Sequence, residues 1–339
     1  MYPWQGAAWS RLQQMRERLP HAILFHGPAG VGKADFMETF AQALLCENVR
    51  PDGHACGECA SCGWFLQNNH PDYRRVRPEA LEDEPAGEGE EGAESTGKAK
   101  SSKAPSKEIK IEQIRSLADF MNISTHRQGL RVVVLYPAEA LNMPASNALL
   151  KTLEEPPPGT VFLLASNSLD RLLPTILSRC RKFALPMPAH EEALAWLREQ
   201  GVQDADSWLR EQGGAPLAAL QESESGSREE MDTLLHFLAT PSVDGALRTA
   251  DKLSKAALPA LVAWQQRWLY DVLSMKLSGR IRYYPRYQKE VSQLAGRVPT
   301  AKLNRAIKAL GERRAVADHP LSAKLFVEDM LLEYTSCCA

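Results

Sequence analysis

Residues 26–34 read HGPAGVGKA, and their types and spacing suit a grip on phosphate. Gly27, four residues, then Gly32 and Lys33 make G-x-x-x-x-G-K, with Gly30 inside the loop. Glycines let backbone N–H groups turn inward onto phosphate oxygens. The lysine supplies a point charge, and a following helix adds the positive end of its dipole. Hydrolysis asks for more: Mg²⁺ is held by a hydroxyl at the end of the loop and by an acidic residue at the tip of a neighbouring strand. Here the loop ends in Ala34, and the apolar run RVVVLY at 131–136 is followed by Pro137, Ala138 and only then Glu139. A cradle without its metal holders points to ATP bound weakly at most and not hydrolysed. A glycine turn with an exposed lysine is the plainer alternative.

The second chemical pattern is Cys46, Cys56, Cys59 and Cys62, separated by nine, two and two residues. Four thiolates suit a tetrahedral Zn²⁺, and two-residue spacers let successive sulfurs turn onto one ion. Such a site has no open position for water, so the metal is structural. An iron–sulfur cluster is the rival, but the fourth Cys and following Pro of a ferredoxin run are missing. His54 and His70 lie near enough in sequence to replace a cysteine. Cys180, Cys337 and Cys338 stand outside the pattern.

The elements that must position these groups are legible around them. The apolar run AILFH at 22–26 leads into the loop, and DFMETFAQALLC after it has helical spacing, with Phe36, Phe40, Ala43 and Leu44 on one face. RVVVLY at 131–136 and VFLLA at 161–165 read as buried parallel strands, and RKFAL at 181–185 as a last one. Residues 145–155 read as a helix stopped by Pro156, Pro157 and Pro158. Alternating strands and helices predict a three-layer α/β domain with a parallel sheet over residues 1–187, carrying the cysteine module at 46–62. Residues 79–94 hold eight acidic side chains and 98–110 hold five lysines, with little to bury. That predicts a disordered charged insertion at 79–108, a tether for a partner being the functional alternative. No strand signal follows Pro188. Residues 188–224 read as a small helical unit and 225–339 as a larger one, including helices at 258–277 and 321–334. Leu261, Trp264 and Trp268 recur there at the spacing of core packing.

Composition narrows the field. At 339 residues the chain should fold as two or three domains. A net charge of −2 excludes a generally basic nucleic-acid surface. No apolar run approaches the ~18 residues of a membrane span. The sequence starts without a secretory pattern, and clustered rather than paired cysteines suit a reducing compartment. The expectation is a cytoplasmic protein with no membrane partner.

SNALLKTLEEPPPGTVFLLAS at 146–166, with LPTILSRC at 173–180, closely resembles the AAA+ clamp-loader family of bacterial DNA polymerase III. The resemblance implies a RecA-like AAA+ domain, a helical lid at 188–224 and a helical collar at 225–339 that packs into a pentameric ring. The implied partners are motor subunits of the gamma/tau type and a delta subunit, and through the complex the sliding clamp and primed DNA. In this family's motors the Mg²⁺ aspartate and catalytic glutamate occupy the places of Pro137 and Ala138, and a nucleotide-sensing arginine that of Leu217. Their absence implies a subunit not catalytic alone, a component of the DNA-directed DNA polymerase complex. The motif Ser178–Arg179–Cys180 is intact, and the resemblance implies that Arg179 is an arginine finger acting in trans at a neighbour's ATP. Read without the resemblance, Arg179 pairs with a nearby carboxylate. Two other readings stand beside this one. One is an active clamp-loader motor ATPase, favoured by the well-kept loop; the other is a zinc-ribbon protein gripping DNA directly.

Overall fold

The computed structural model describes residues 1–82, 105–122, 125–126, 129–317 and 322–338. The chain divides into two compact units, Met1–Met187 and Pro188–Ala339.

In the first unit, β1 (Ala22–His26), β2 (Tyr73–Val76), β3 (Arg131–Leu135), β4 (Thr160–Ser166) and β5 (Arg181–Ala184) form one parallel sheet ordered β2-β3-β4-β1-β5. Strand side chains alternate between two apolar layers. Ile23, Phe25, Val132, Val134, Leu163 and Phe183 pack on one face against α1 (Gly6–Met15) and α2 (Lys33–Leu45). Leu24, Val133, Leu135, Phe162 and Leu164 pack on the other against α4 (Ile111–Asn122), α5 (Met143–Glu154) and α6 (Pro174–Arg179). Burial on both faces is why β1, β3 and β4 read as unbroken apolar runs rather than alternating ones. Helix α2 is fixed by the stripe Phe36, Met37, Phe40 and Leu44. Helix α5 is fixed by Asn142, whose side chain accepts from Ala145 N–H, and by Pro144 in its first turn. The cysteine module carries the short helix α3 (Ala60–Leu66) between α2 and β2.

The charged segment expected to be disordered over 79–108 lies, from 83 to 104, outside the described residues. Its two ends are ordered and tied to each other, which narrows that expectation. Ala80 N–H donates to Ser106 O, Ser106 N–H to the Glu79 carboxylate, and Lys110 Nζ stands 2.8 Å from Glu79 Oε1.

The second unit is helical among the described residues: α7 (His190–Glu199), α8 (Ala205–Glu211), α9 (Pro216–Glu224), α10 (Arg228–Ala239), α11 (Val243–Lys252), α12 (Leu258–Ser278), α13 (Gln288–Arg297), α14 (Thr300–Val316) and α15 (Ala323–Cys338). One apolar core runs through it, from Ala193 to Cys338. Near the expected 224/225 boundary, buried Glu211 of α8 is 2.7 Å from Arg228 and 3.5 Å from Arg286. Helix α12 opens on Pro259 and ends at Gly279 in the left-handed region, φ 68°. Inside it, Trp264 and Trp268 are fully buried, and Trp268 Nε1–H donates to Tyr334 Oη, which donates on to Leu238 O. That relay satisfies three polar groups and joins α12, α15 and α10.

Asp271 is fully buried, and its carboxylate accepts from the N–H groups of Arg282, Tyr283 and Tyr284. Burial pushes its pKa up, and those N–H groups oppose the shift. Asp271→Ala leaves three backbone donors of the α12–α13 connection without their acceptor. It should destabilise this unit by about 2–4 kcal/mol in urea unfolding. A change below about 0.5 kcal/mol would mean that the connection contributes nothing to the fold.

Candidate functional site

The loop between β1 and α2 leaves the sheet beside its point of reversal, where β4 and β5 flank β1. Crevices outside the carboxyl ends of strands at such a point are where open α/β sheets bind ligands. Two glycines here are obligatory. A Cβ on Gly27 would sit 2.0 Å from Leu185 O. Gly32 has φ 81°, and a Cβ there would lie 2.4 Å from the Tyr2 ring. Gly30 is also left-handed, at φ 75°.

Lys33 is the first residue of α2 and is folded back into the loop. Its Nζ donates to Gly27 O at 3.0 Å and to Pro28 O at 2.6 Å. Burial lowers its pKa to about 8, with Glu139 pulling the other way. The first residues of the chain brace the loop from outside. Trp4 Nε1–H and Gln5 Nε2–H both donate to Val31 O, Gln5 also reaches Gly32 O, and the Tyr2 hydroxyl donates to Asp35. These partners were not visible in the sequence, since nothing in YPWQ announces which loop it will cover.

At the tip of β3 stand Pro137 and Ala138, the latter fully buried, so neither offers an oxygen from a side chain. Glu139 follows in a short 3₁₀ turn (Ala138–Ala140), and its carboxylate accepts from Asn167 N–H, at 3.1 and 3.3 Å. Glu139 is thus within electrostatic reach of Lys33 while occupied by the end of β4.

Arg179 closes α6. Its Nη1 donates to Thr175 O at 3.0 Å, and its Nη2 lies 2.5 Å from Glu154 Oε1 of α5, a partly exposed pair. Ser178 Oγ–H donates to Thr175 O. Cys180 is buried in the second apolar layer, which pushes its thiol up to about 11. Sheet geometry separates this arginine from the loop. β1 and β5 are parallel, with Ile23 opposite Arg181 and His26 opposite Ala184. Arg179 precedes the start of β5, whereas Gly27 follows the end of β1. The paired strands between them are about 13 Å long, so Arg179 stands at the opposite end of the sheet from its own phosphate loop.

The four cysteines of the module come together. Their sulfurs all lie within 4.8 Å of one another. Cys46–Cys56 is 3.5 Å, Cys56–Cys62 3.9 Å and Cys46–Cys59 4.0 Å. A tetrahedron with metal–sulfur bonds of about 2.3 Å has edges of about 3.8 Å, so the donor set fits zinc. None of the cysteines is in a disulfide. N–H groups of Glu58 and Cys59 point at Cys56 Sγ and hold that thiol down to about 6. Neither histidine joins the cluster: His54 stacks on Trp9 at 4.3 Å, and His70 turns to Ser61. His70 Nδ1 accepts from Asp72 N–H, so its Nε2 carries the proton and donates to Ser61 Oγ, which donates to Leu45 O. This chain ties the module to the end of α2 and to the start of β2.

A parallel sheet in this order with a glycine loop after β1 makes the first unit a RecA-like α/β domain of the AAA+ class, bearing a four-cysteine module and followed by helices. Comparison with known proteins gives the particular family. A family model described as DNA polymerase III, delta subunit, matches residues 4–189. The chain is 35% identical over 284 residues to DNA polymerase III subunit delta′ of Pseudomonas aeruginosa, covering 82% of this chain and 79% of that one. It is 31% identical over 280 residues to the Escherichia coli subunit of the same name, covering 80% and 76%. Among solved structures, a DNA polymerase III gamma subunit-related protein of Thermotoga maritima aligns with 98% of this chain and 100% of its own, at 16% identity and TM-score 0.44. The chain belongs to the DNA polymerase III delta′ family.

Four thiols at these separations should take up one tetrahedral ion. Titration of the metal-free chain with Co²⁺ should saturate at one equivalent, with the absorption of a tetrahedral thiolate site. Cys62→Ser should weaken or abolish it. Octahedral spectra, or binding indifferent to Cys62, would show that the sulfurs do not act as one site.

Proposed function

We propose that this chain is an ATPase-silent subunit of the DNA polymerase III clamp loader. It helps place the sliding clamp on primed DNA and lends Arg179 to the ATP of a neighbouring motor subunit. Its relatives are named as delta′ subunits, and a tau subunit of Bacillus subtilis is 29% identical over half of the chain. The motor partners are therefore of the gamma/tau kind, with a delta subunit completing the ring. The observation that carries the reading is the placement of Arg179 beyond reach of the chain's own loop, partly exposed and held by Glu154, the Thr175 carbonyl and Ser178 Oγ. A permanently charged, forked guanidinium in that position suits stabilisation of charge on another subunit's γ-phosphate. In this reading Glu154 parks the arginine until the ring forms. A structural zinc at Cys46, Cys56, Cys59 and Cys62 holds the module, and the intact loop retains weak affinity for nucleotide.

A motor ATPase remains the second reading, because Lys33 is present and Glu139 lies near it. Against it stand Ala34, Pro137 and Ala138, and Leu217, which sits in the first turn of α9 where the resemblance puts a sensing arginine.

In a reconstituted loader, Arg179→Ala should cut the clamp- and DNA-stimulated ATPase, the site it serves losing roughly 10³-fold or more. The isolated chain should hydrolyse nothing. ATP turnover by the isolated chain that Lys33→Ala removes would establish the motor reading instead. Glu154→Gln should leave the loader's rate at or above wild type, since it frees the guanidinium. An equal loss in both variants would make the pair structural.

Nucleotide affinity of the isolated chain should be pH-dependent. Lys33 carries its proton below about 8, and phosphate favours the charged form. Binding measured by calorimetry should therefore weaken as pH rises through 8, and identical affinities at pH 7 and 9 would exclude Lys33 as the phosphate ligand.

A further inference from the structure

One stretch of the second unit departs from the charge balance of the chain. Residues 272–289, VLSMKLSGRIRYYPRYQK, hold five cations and three tyrosines with no carboxylate, in a chain whose net charge is −2. Two of those cations serve the fold: Lys276 Nζ donates to Ala295 O, and Arg286 pairs with Asp232 and Glu211. Tyr284 and Tyr287 are buried. Arg280 and Arg282 are exposed, and Arg280 makes no ion pair among the described residues. Arg282 lies within electrostatic reach of Asp271, but that carboxylate is fully buried and already accepts from three backbone N–H groups.

Tyr270 of α12 brings an aromatic face to these cations. The Arg282 guanidinium lies 5.8 Å from its ring centroid, and the Tyr283 ring packs against it nearly perpendicular at 5.6 Å, yet Tyr270 stays 42% exposed. Leu277, 70% exposed, lies two turns further on the same side of the helix, roughly 10 Å along its axis. Arg280 continues the chain beyond Gly279, where the helix ends, and Arg282 returns it to Tyr270. A cation after a helix C-terminus is stabilised by the helix dipole, and an arginine beside a ring by cation–π attraction. Those effects account for Arg280 and for the contact of Arg282 with Tyr270. Neither accounts for Tyr270 and Leu277 both left open to solvent beside a stretch without carboxylates.

We propose that Tyr270, Leu277, Arg280 and Arg282 form a docking surface for a single nucleic-acid strand, with a base stacked on Tyr270 and the flanking phosphates held by the two guanidinium groups. The chemistry selects that occupant. Exposed aromatic rings among arginines bind single strands by stacking and by charge. Guanidinium forks onto phosphate oxygens, and only an unpaired base has a face free to stack. An acidic peptide would meet the charges and leave the ring unused. The proposal goes beyond the function above, which brings DNA to the complex and to no face of this chain, and it does not depend on Arg179.

The test is fluorescence anisotropy of the full chain with a labelled twenty-nucleotide oligothymidine at low salt. Saturable binding is expected, weakening as salt is raised. Tyr270→Ala should weaken it roughly ten-fold, the worth of one stacked base, whereas Tyr270→Phe, which keeps the ring, should bind like wild type. A strand of abasic sites should bind the wild-type chain as weakly as oligothymidine binds Tyr270→Ala. Arg280→Ala and Arg282→Ala should each lower the dependence of log Kd on log salt by about 0.7. Arg280→Ala, at an exposed position, should do so with an unchanged melting temperature. Lys33→Ala should leave binding as it is. Absence of saturable binding overturns the proposal. So does equally tight binding of polyglutamate of the same length, which would make the surface a dock for an acidic protein. Binding indifferent to both Tyr270→Ala and Arg280→Ala, or lost in Lys33→Ala, overturns it as well, since the strand would then lie elsewhere.

Discussion

A parallel sheet must be covered on both faces, and its strands must all point the same way. Those two demands arrange nearly everything else in the first unit. Coverage makes β1, β3 and β4 apolar on both sides, and it places α1 and α2 on one face and α4, α5 and α6 on the other. Common direction sends every strand-to-helix loop to the same end. The glycine loop, Pro137–Glu139 and Asn167 therefore meet there although 140 residues separate the first from the last. The same demand carries every helix-to-strand junction to the far end, and Arg179 is one of these. Topology thus keeps the glycine loop and Arg179 apart, so in the proposed function the one can lose its role while the other keeps it.

In that reading, what has been lost is specific. The backbone cradle is retained, since Gly27 and Gly32 are pinned by close neighbours whether or not a ligand binds. Lys33 also has a use without nucleotide, as it satisfies two loop carbonyls. The side chains that would hold Mg²⁺ have no such second use, and those are the positions filled by Ala34, Pro137 and Ala138. Packing thus accounts for the good condition of a loop in a chain read as catalytically silent.

The sequence made the central strands and the metal ligands plain, because both depend on local signals: unbroken apolar runs for β1, β3 and β4, and close spacing for the cysteines. It hid β2 because Tyr-Arg-Arg-Val has no apolar run and no clean alternation. An edge strand paired on one side needs neither. It hid α1 and the brace over the loop, since the hydrogen bonds of Trp4 and Gln5 span 26 or 27 residues and follow from tertiary packing alone. The pairing of Arg179 with Glu154 was foreseeable only as some nearby carboxylate, because the two are brought together by α5 and α6 lying side by side.

The cysteine module gains its meaning from where it is inserted. It leaves the sheet domain at Cys46, immediately after α2, and returns at β2, so it bridges the phosphate-loop helix and the open edge. The Ser61–His70–Asp72 chain makes that bridge rigid, since each polar group is buried and satisfied by the next. A closed tetrathiolate site adds no reactive position. Its contribution is to replace a hydrophobic core that residues 46–72 are too few to build. With the module fixed, the edge strand has a rigid neighbour, and its two arginines are held in place, Arg74 over the Phe120 ring and Arg75 beside Glu38.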